Sequence, residues 1–108
     1  MKNTERSNKV VVLGDIRGFT AFMENESESL SIRVLKDFYE TVEKDVQKYG
    51  GFKVEFIADE FLTFFDDPYV AVNFCISVRD HLNKFLKKYQ LGIGFGVSYG
   101  TVLGGLWG

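Results

Sequence analysis

The 108-residue chain carries thirteen Lys and Arg against fifteen Asp and Glu, a net charge of −2, which excludes the basic footprint of a bulk nucleic-acid binder. Its 45% hydrophobic content excludes a disordered chain and its length indicates one globular domain. No apolar run approaches the ~20 residues that cross a bilayer, Met1–Lys9 lacks a signal-peptide pattern, and the lone Cys75 excludes an internal disulfide and fits a reducing, cytoplasmic setting.

Met1–Asn8 reads as a polar tail, which leaves 9–108 as the domain. Lys9–Gly14 is a short Val-rich run that predicts a strand buried on both faces. Asp15–Thr20 (DIRGFT) is the turn leaving it, and Phe19–Glu24 forms one or two helical turns before the polar connection Asn25–Ser29. A helix follows over Leu30–Tyr49, where Leu35, Phe38, Tyr39, Val42, Val46 and Tyr49 recur at helical spacing and read as core. Ser27 or Ser29 caps its start, and Gly50-Gly51 ends it because Gly takes the left-handed conformation without penalty.

Phe52–Ala58 alternates, with Phe52, Val54, Phe56 and Ala58 on one face, and Phe61–Phe65 follows after Asp59-Glu60 as the second arm of a hairpin. Asp66-Asp67-Pro68 is a helix start, with an Asp cap and Pro in the first turn. The helix it opens is expected to run to Tyr89, with Cys75 on its apolar face as inert core and His81, the only His, solvated or packed. Leu91–Tyr99 alternates strictly, placing Gly92, Gly94, Gly96 and Ser98 on one face. A glycine-faced strand predicts close approach by a helix or by a partner's backbone. Seven of the eleven glycines fall between Gly92 and Gly108, and Gly100–Gly108 reads as a glycine-rich turn.

The order of elements predicts an α+β fold: the ferredoxin-like βαββαβ unit, palm-like, with an antiparallel sheet and its helices on one face. In that topology the first and third strands are central antiparallel neighbours. Asp15, at the end of the first, and Asp59, in the turn before the third, should therefore share one edge of the sheet. Two adjacent carboxylates repel unless a cation neutralises them, and oxygen ligands suit Mg²⁺. The loop Ile16–Thr20 opens a helical segment whose N–H groups could hold phosphate. Arg17 could touch phosphate or lie exposed.

These residues resemble a family. DIRGFT at Asp15–Thr20, GGFKVEFIAD at Gly50–Asp59 and the tail GIGFGVSYGTVLGGLWG, with Gly100, Gly105 and Gly108 on spaced glycines, are similar to the motifs of class III nucleotidyl cyclases, the adenylate/guanylate cyclase catalytic domains. The resemblance runs from about Val10 to the last residue, so that 9–108 reads as the N-terminal portion of such a domain. It implies conversion of a nucleoside triphosphate, GTP or ATP, to a cyclic mononucleotide and pyrophosphate with two Mg²⁺ or Mn²⁺ ions. Asp15 and Asp59 would be the metal-binding aspartates, and Ile16 would offer its carbonyl. Gly18, Phe19 and Thr20 would line the phosphates. Glu55 falls on a base-recognition position, where a carboxylate suits guanine N1–H and its exocyclic amine. The resemblance also implies a head-to-tail dimer, as a homodimer or heterodimer.

Three departures stand out. Ala58 replaces the usual Gly before the second aspartate, Glu60 adds a third carboxylate, and Ser98-Tyr99 replaces the usual His-Thr. The Asn and Arg that stabilise the family's transition state fall beyond the matched motifs, so no catalytic residue is assigned and weak or absent turnover is expected of this chain alone. Trp107, next to the last residue, would be poorly buried without a partner. A catalytically inactive cyclase-like module that binds nucleotide or a partner is one alternative. A palm-type nucleotidyltransferase that makes cyclic oligonucleotides is another, disfavoured because the turn reads IADEF where such enzymes carry a GGDD-like hairpin.

Overall fold

The computed structural model describes residues 5–104, with side chains over 8–100. Its elements are β1 (Glu5–Arg17), α1 (Phe19–Asn25), α2 (Glu28–Lys48), β2 (Val54–Ile57), β3 (Glu60–Phe65), α3 (Pro68–Leu86) and β4 (Gly92–Gly104). The four strands form one sheet in the order β2-β3-β1-β4, with every neighbouring pair antiparallel. This is the expected ferredoxin-like arrangement, with β1 and β3 in the centre.

The strand alternation divides the sheet into two unlike faces. On β1, Val10, Val12 and Ile16 are buried while Leu13 is half-exposed. On β3, Phe61, Thr63 and Phe65 are buried. The helices pack on this inner face, where Val34, Phe38 and Val42 of α2 and Phe74, Val78 and Leu82 of α3 complete the core. Phe74 anchors the contact, with its ring centroid 4.9 Å from Phe65 and 6.0 Å from Phe61. Burial of such side chains, at roughly 1.5–3 kcal/mol each, is the main favourable term in the fold.

The helix ends follow local chemistry. Ser27 caps α2, its Oγ accepting from the Leu30 N–H at 3.2 Å. Gly50 leaves α2 at φ 73°, and the Gly51 N–H donates to the Val46 carbonyl at 2.9 Å, the two-bond closure that satisfies terminal carbonyls. Asp67 caps α3 by accepting from the Tyr69 N–H at 2.8 Å, with Pro68 in the first turn. Between the two helices the buried Asp45 stands 2.8 Å from His81 Nδ1 and accepts from Ser77 Oγ at 3.4 Å. His81 is therefore a partner for a buried carboxylate, a more specific role than solvation. Cys75 is buried as expected, and burial pushes its thiol up to about 11.

Several boundaries differ from the sequence reading, among them the end of β1, where Asp15–Arg17 is strand and not turn. Glu5–Asn8 belongs to β1 and not to a tail, because its backbone pairs with Thr101–Gly104 of β4. Phe52 is not part of β2: Lys53 has φ 75°, which breaks the alternation and turns Phe52 out to stack on Phe64 at 6.4 Å. Ala58 lies in the hairpin turn and not on the strand. The α-helix of α3 ends at Leu86; Lys87–Tyr89 form a 3₁₀ turn, closed by Gln90 at φ 62° and by the Leu91 N–H donating to the Leu86 carbonyl at 3.0 Å. Strand β4 runs on to Gly104, so the expected turn from Gly100 is extended chain over its described part, while Gly105, Trp107 and Gly108 lie outside the described residues.

Gly14 has a clear steric reason. It sits on the inner face of β1, and a Cβ there would meet the Phe61 ring at 2.2 Å. Phe61 is fully buried among Phe38, Phe74 and Phe95, so its ring has little room to retreat. Gly14→Ala is expected to lower stability by about 1–3 kcal/mol, the usual cost of overpacking a core, in a urea titration followed by circular dichroism.

Candidate functional site

The site is built where β1 ends beside the β2–β3 hairpin. Asp15 lies opposite Glu60 in the β1–β3 register, and the Ile16 N–H donates to the Asp59 carbonyl at 3.0 Å. The topology therefore brings the Asp15 and Asp59 segments to one end of the central strand pair, as the order of elements predicted. Glu60 joins them on the neighbouring strand. Among the described residues no three His, Cys, Asp or Glu side chains converge into a ready metal cluster, so Glu60 does not complete one.

Asp15 points to the uncovered face of the sheet. Arg17, two residues on and on the same face, brings its Nε within 3.0 Å of Asp15 Oδ1. That contact is too far out of line to be a hydrogen bond, and Oδ1 is buried without a hydrogen-bond donor. The Asp15 side chain is 43% exposed, and the cation beside Oδ1 is the Arg17 guanidinium, a place that a metal ion could take. Together with the all-oxygen donor set of two aspartates and a carbonyl, this fits a hard divalent ion.

Arg17 also accounts for part of the glycine face. A Cβ on Gly94 would fall 2.1 Å from Arg17 Nε, so the glycine leaves room for the guanidinium to lie across β4 toward Asp15. Of the two expected neighbours, a helix or a partner's backbone, the helix is not there: both long helices are on the opposite face, and within this chain a Cβ on Gly96 or Gly100 would meet nothing within 4 Å. Leu13, Asp15, Arg17, Glu60, Gly94 and Gly96 line a shallow open depression there, which Asp59 does not line.

The phosphate-loop residues fall into two kinds. Gly18 caps α1 at φ 87°, in the left-handed region that a side chain resists, and its carbonyl accepts from the Phe22 N–H at 3.1 Å. Thr20 is exposed. The Phe19 side chain, by contrast, is core, buried and stacked on Phe22 at 5.9 Å, so only its backbone can face a ligand. Glu55 is exposed on β2, opposite Leu62, with Lys53 Nζ 4.0 Å away. It shares the uncovered face with Asp15, two strands away and offset by two residues, a separation of roughly 12 Å by sheet geometry.

Sequence reasoning read one contributor only as core. Tyr39 of α2 donates its hydroxyl to the Ala58 carbonyl at 2.6 Å. Burial raises its pKa, and the nearby Asp59 charge raises it further. Ala58 itself sits at φ 52°. The Ala does not prevent the left-handed conformation; it adopts it under strain. The available signal was the Tyr in an apolar stripe, since a phenol drawn partly into the core needs a partner for its O–H.

The family model for the adenylate and guanylate cyclase catalytic domain matches residues 2–108. An adenylate cyclase of Anabaena cylindrica is 27% identical over 110 residues, covering 91% of this chain and 22% of that protein. Among solved structures, the adenylyl cyclase CyaB of P. aeruginosa superimposes with a TM-score of 0.82 at 28% identity, covering 93% of this chain and 59% of that one. The guanylate cyclase domain of RhGC from Catenaria anguillulae, solved in complex with GTP, shares the fold with a TM-score of 0.81 at 22% identity, covering 91% of this chain and 59% of that one. The chain thus spans less than two thirds of each of these relatives. It belongs to the adenylate and guanylate cyclase catalytic domain family.

The strained turn gives a direct stability test. A non-glycine residue in the left-handed region costs about 1–2 kcal/mol, partly offset by the greater unfolded-state freedom of Gly. Ala58→Gly is expected to raise stability by up to about 1 kcal/mol, measured as an upward shift of the urea midpoint at unchanged slope.

Proposed function

We propose that this chain forms the metal- and phosphate-binding part of a purine nucleotide cyclase that turns a nucleoside triphosphate into a cyclic mononucleotide and pyrophosphate, with GTP preferred over ATP. The observation that carries the reading is the strand register that sets Asp15 beside Glu60 and hydrogen-bonds the Ile16 N–H to the Asp59 carbonyl, bringing the two aspartate segments to one end of the central strand pair. Asp15 and Asp59, with the Ile16 carbonyl, would hold two Mg²⁺ or Mn²⁺ ions; bound there, such ions neutralise triphosphate charge and polarise the attacking and leaving oxygens.

The chain's own residues supply orientation. Backbone N–H groups at Gly18, Phe19 and Thr20 open α1 without intrahelical partners and can donate to phosphate oxygens. Arg17 can leave Asp15 and follow the phosphates, since its side chain is largely exposed. Glu55 accepts from guanine N1–H and the exocyclic amine, a pair of donors that adenine lacks at those positions. The reaction is an in-line displacement: the ribose 3′-hydroxyl gives up its proton to water, its oxygen bonds to the α-phosphorus, the bond to the bridging oxygen breaks, and pyrophosphate departs with that electron pair.

The uncovered sheet face supports completion of the site by a second copy or a homologous chain. Leu13 and Ile57 are exposed on it, beside Leu62 and Phe64, which are partly so. These apolar groups surround the charged edge, an arrangement suited to a partner that excludes water from the reacting phosphate.

Calorimetry with GTP and with ATP, each with and without Mn²⁺, tests the reading. Binding is expected only with Mn²⁺ and about tenfold tighter for GTP, the discrimination that one or two polar contacts provide. Asp15→Asn or Asp59→Asn should abolish it, and Glu55→Lys should reverse the base preference. Metal-independent binding, or chromatography showing a cyclic oligonucleotide product, would overturn the proposal.

A further inference from the structure

Asp59 is flanked by two peptide groups, and both are held. The one before it carries the Ala58 carbonyl, which accepts the Tyr39 hydroxyl at 2.6 Å. The one after it carries the Asp59 carbonyl, which accepts the Ile16 N–H at 3.0 Å. With both peptide planes fixed, the direction of the Asp59 Cα–Cβ bond is fixed as well. The second of these bonds is main chain to main chain and any sequence can make it. The first depends on one side-chain atom.

That atom is itself well placed. The Tyr39 ring lies with its centroid 4.3 Å from Phe56 on β2 and 5.9 Å from Phe38 on α2. Phe56 packs in turn on Phe38 at 6.2 Å. The phenol therefore reaches the turn from a rigid helix through packed rings, and its entropy cost is met by the packing. The bond falls on the carbonyl of Ala58, which at φ 52° is one of three non-glycine residues at positive φ among the described residues. A two-residue hairpin turn with positive φ at its first position normally takes Gly there. Here Ala holds that conformation, and a hydrogen bond from α2 supplies stabilisation that the local sequence lacks.

We propose that Tyr39 is a positioning residue for the site: its hydroxyl holds the Ala58 turn in the left-handed conformation and so aims Asp59 toward the Asp15 edge. The proposal rests on the reading of Asp59 as a metal ligand and adds a residue to it from outside the loop and hairpin motifs. It also makes Tyr39 and Ala58 a coupled pair. A hydroxyl at position 39 matters while position 58 resists the turn, and matters less when position 58 adopts it freely.

The test is a double-mutant cycle read by calorimetry with Mn²⁺ alone, over the parent chain, Tyr39→Phe, Ala58→Gly and the double variant, with Asp59→Asn as the control. Tyr39→Phe keeps the ring stack and removes only the hydroxyl, so the variant folds. It is expected to weaken Mn²⁺ binding about 3- to 10-fold, the usual worth of one hydrogen bond. Ala58→Gly alone should change Mn²⁺ binding less than about twofold, and in the double variant it should recover most of the loss, leaving about twofold or less. Loss of binding in Asp59→Asn with unchanged binding in Tyr39→Phe overturns the proposal and leaves the ligand reading standing. Unchanged binding in both overturns the ligand reading, and the proposal with it. Equal losses in Tyr39→Phe and the double variant mean that the hydroxyl acts through packing alone, and also overturn it.

Discussion

Gly14, Asp15 and Ile16 face Phe61, Glu60 and the Asp59 turn across the central strand pair, and this register sets where every polar group of the site can stand. A slip of one residue would exchange the two faces of β1. Asp15 would go into the core and Val12 into water. The penalty for burying an unpaired carboxylate and exposing the apolar row far exceeds what any local contact at the edge supplies, so the hydrophobic face holds the register. The site is thus a consequence of the core: Val10, Val12 and Ile16 are buried so that Asp15 need not be.

Much of this was legible in the sequence. Alternation marked the strands, and the order of elements fixed β1 and β3 as neighbours. That alone brought residues 15 and 59 together. The capping residues Ser27 and Asp67 and the Gly50-Gly51 stop were equally readable, because helix ends obey chemistry within a few residues. The misreadings share a different cause. Glu5–Asn8 is polar and carries no strand pattern, yet pairing with the far end of β4 draws its backbone into the sheet. Residue type gives little warning when main-chain hydrogen bonds to a distant strand decide the matter. Phe52 was misplaced for a local reason, the positive φ of Lys53, which nothing in a Lys announces.

The same limit governed the polar contacts. Asp45 lies in an apolar helical stripe and is nonetheless buried, because His81 and Ser77 of α3 reach it. Tyr39 lies in that stripe too, and its hydroxyl meets a turn nineteen residues away. Periodicity reports which way a side chain faces; it does not report which single polar atom will be opposite. Ala58 shows the converse. The sequence flagged it as a departure from the expected Gly, and in an isolated turn a non-glycine residue resists positive φ. Tertiary hydrogen bonds on either side of Asp59 override that local preference at the cost of strain.

Glycine makes the division between the two faces of the sheet concrete. At Gly14, on the inner face, an added Cβ would strike Phe61, a ring enclosed by other rings. At Gly94, on the outer face and one position along the ladder, it would strike Arg17, a flexible side chain with solvent to move into. The first glycine is required by packing and the second makes room for an ion pair. A fold that used both faces for packing would have no such freedom: any group near Asp15 would be bound by the same tight density that holds Phe61. Leaving one face uncovered exposes apolar surface and costs stability. In return the charged edge stays open, and Arg17 beside Asp15 can be displaced without disturbing the core. The two faces thus separate rigidity from access, with Asp15 on a strand whose inner side cannot move and whose outer side can still exchange partners.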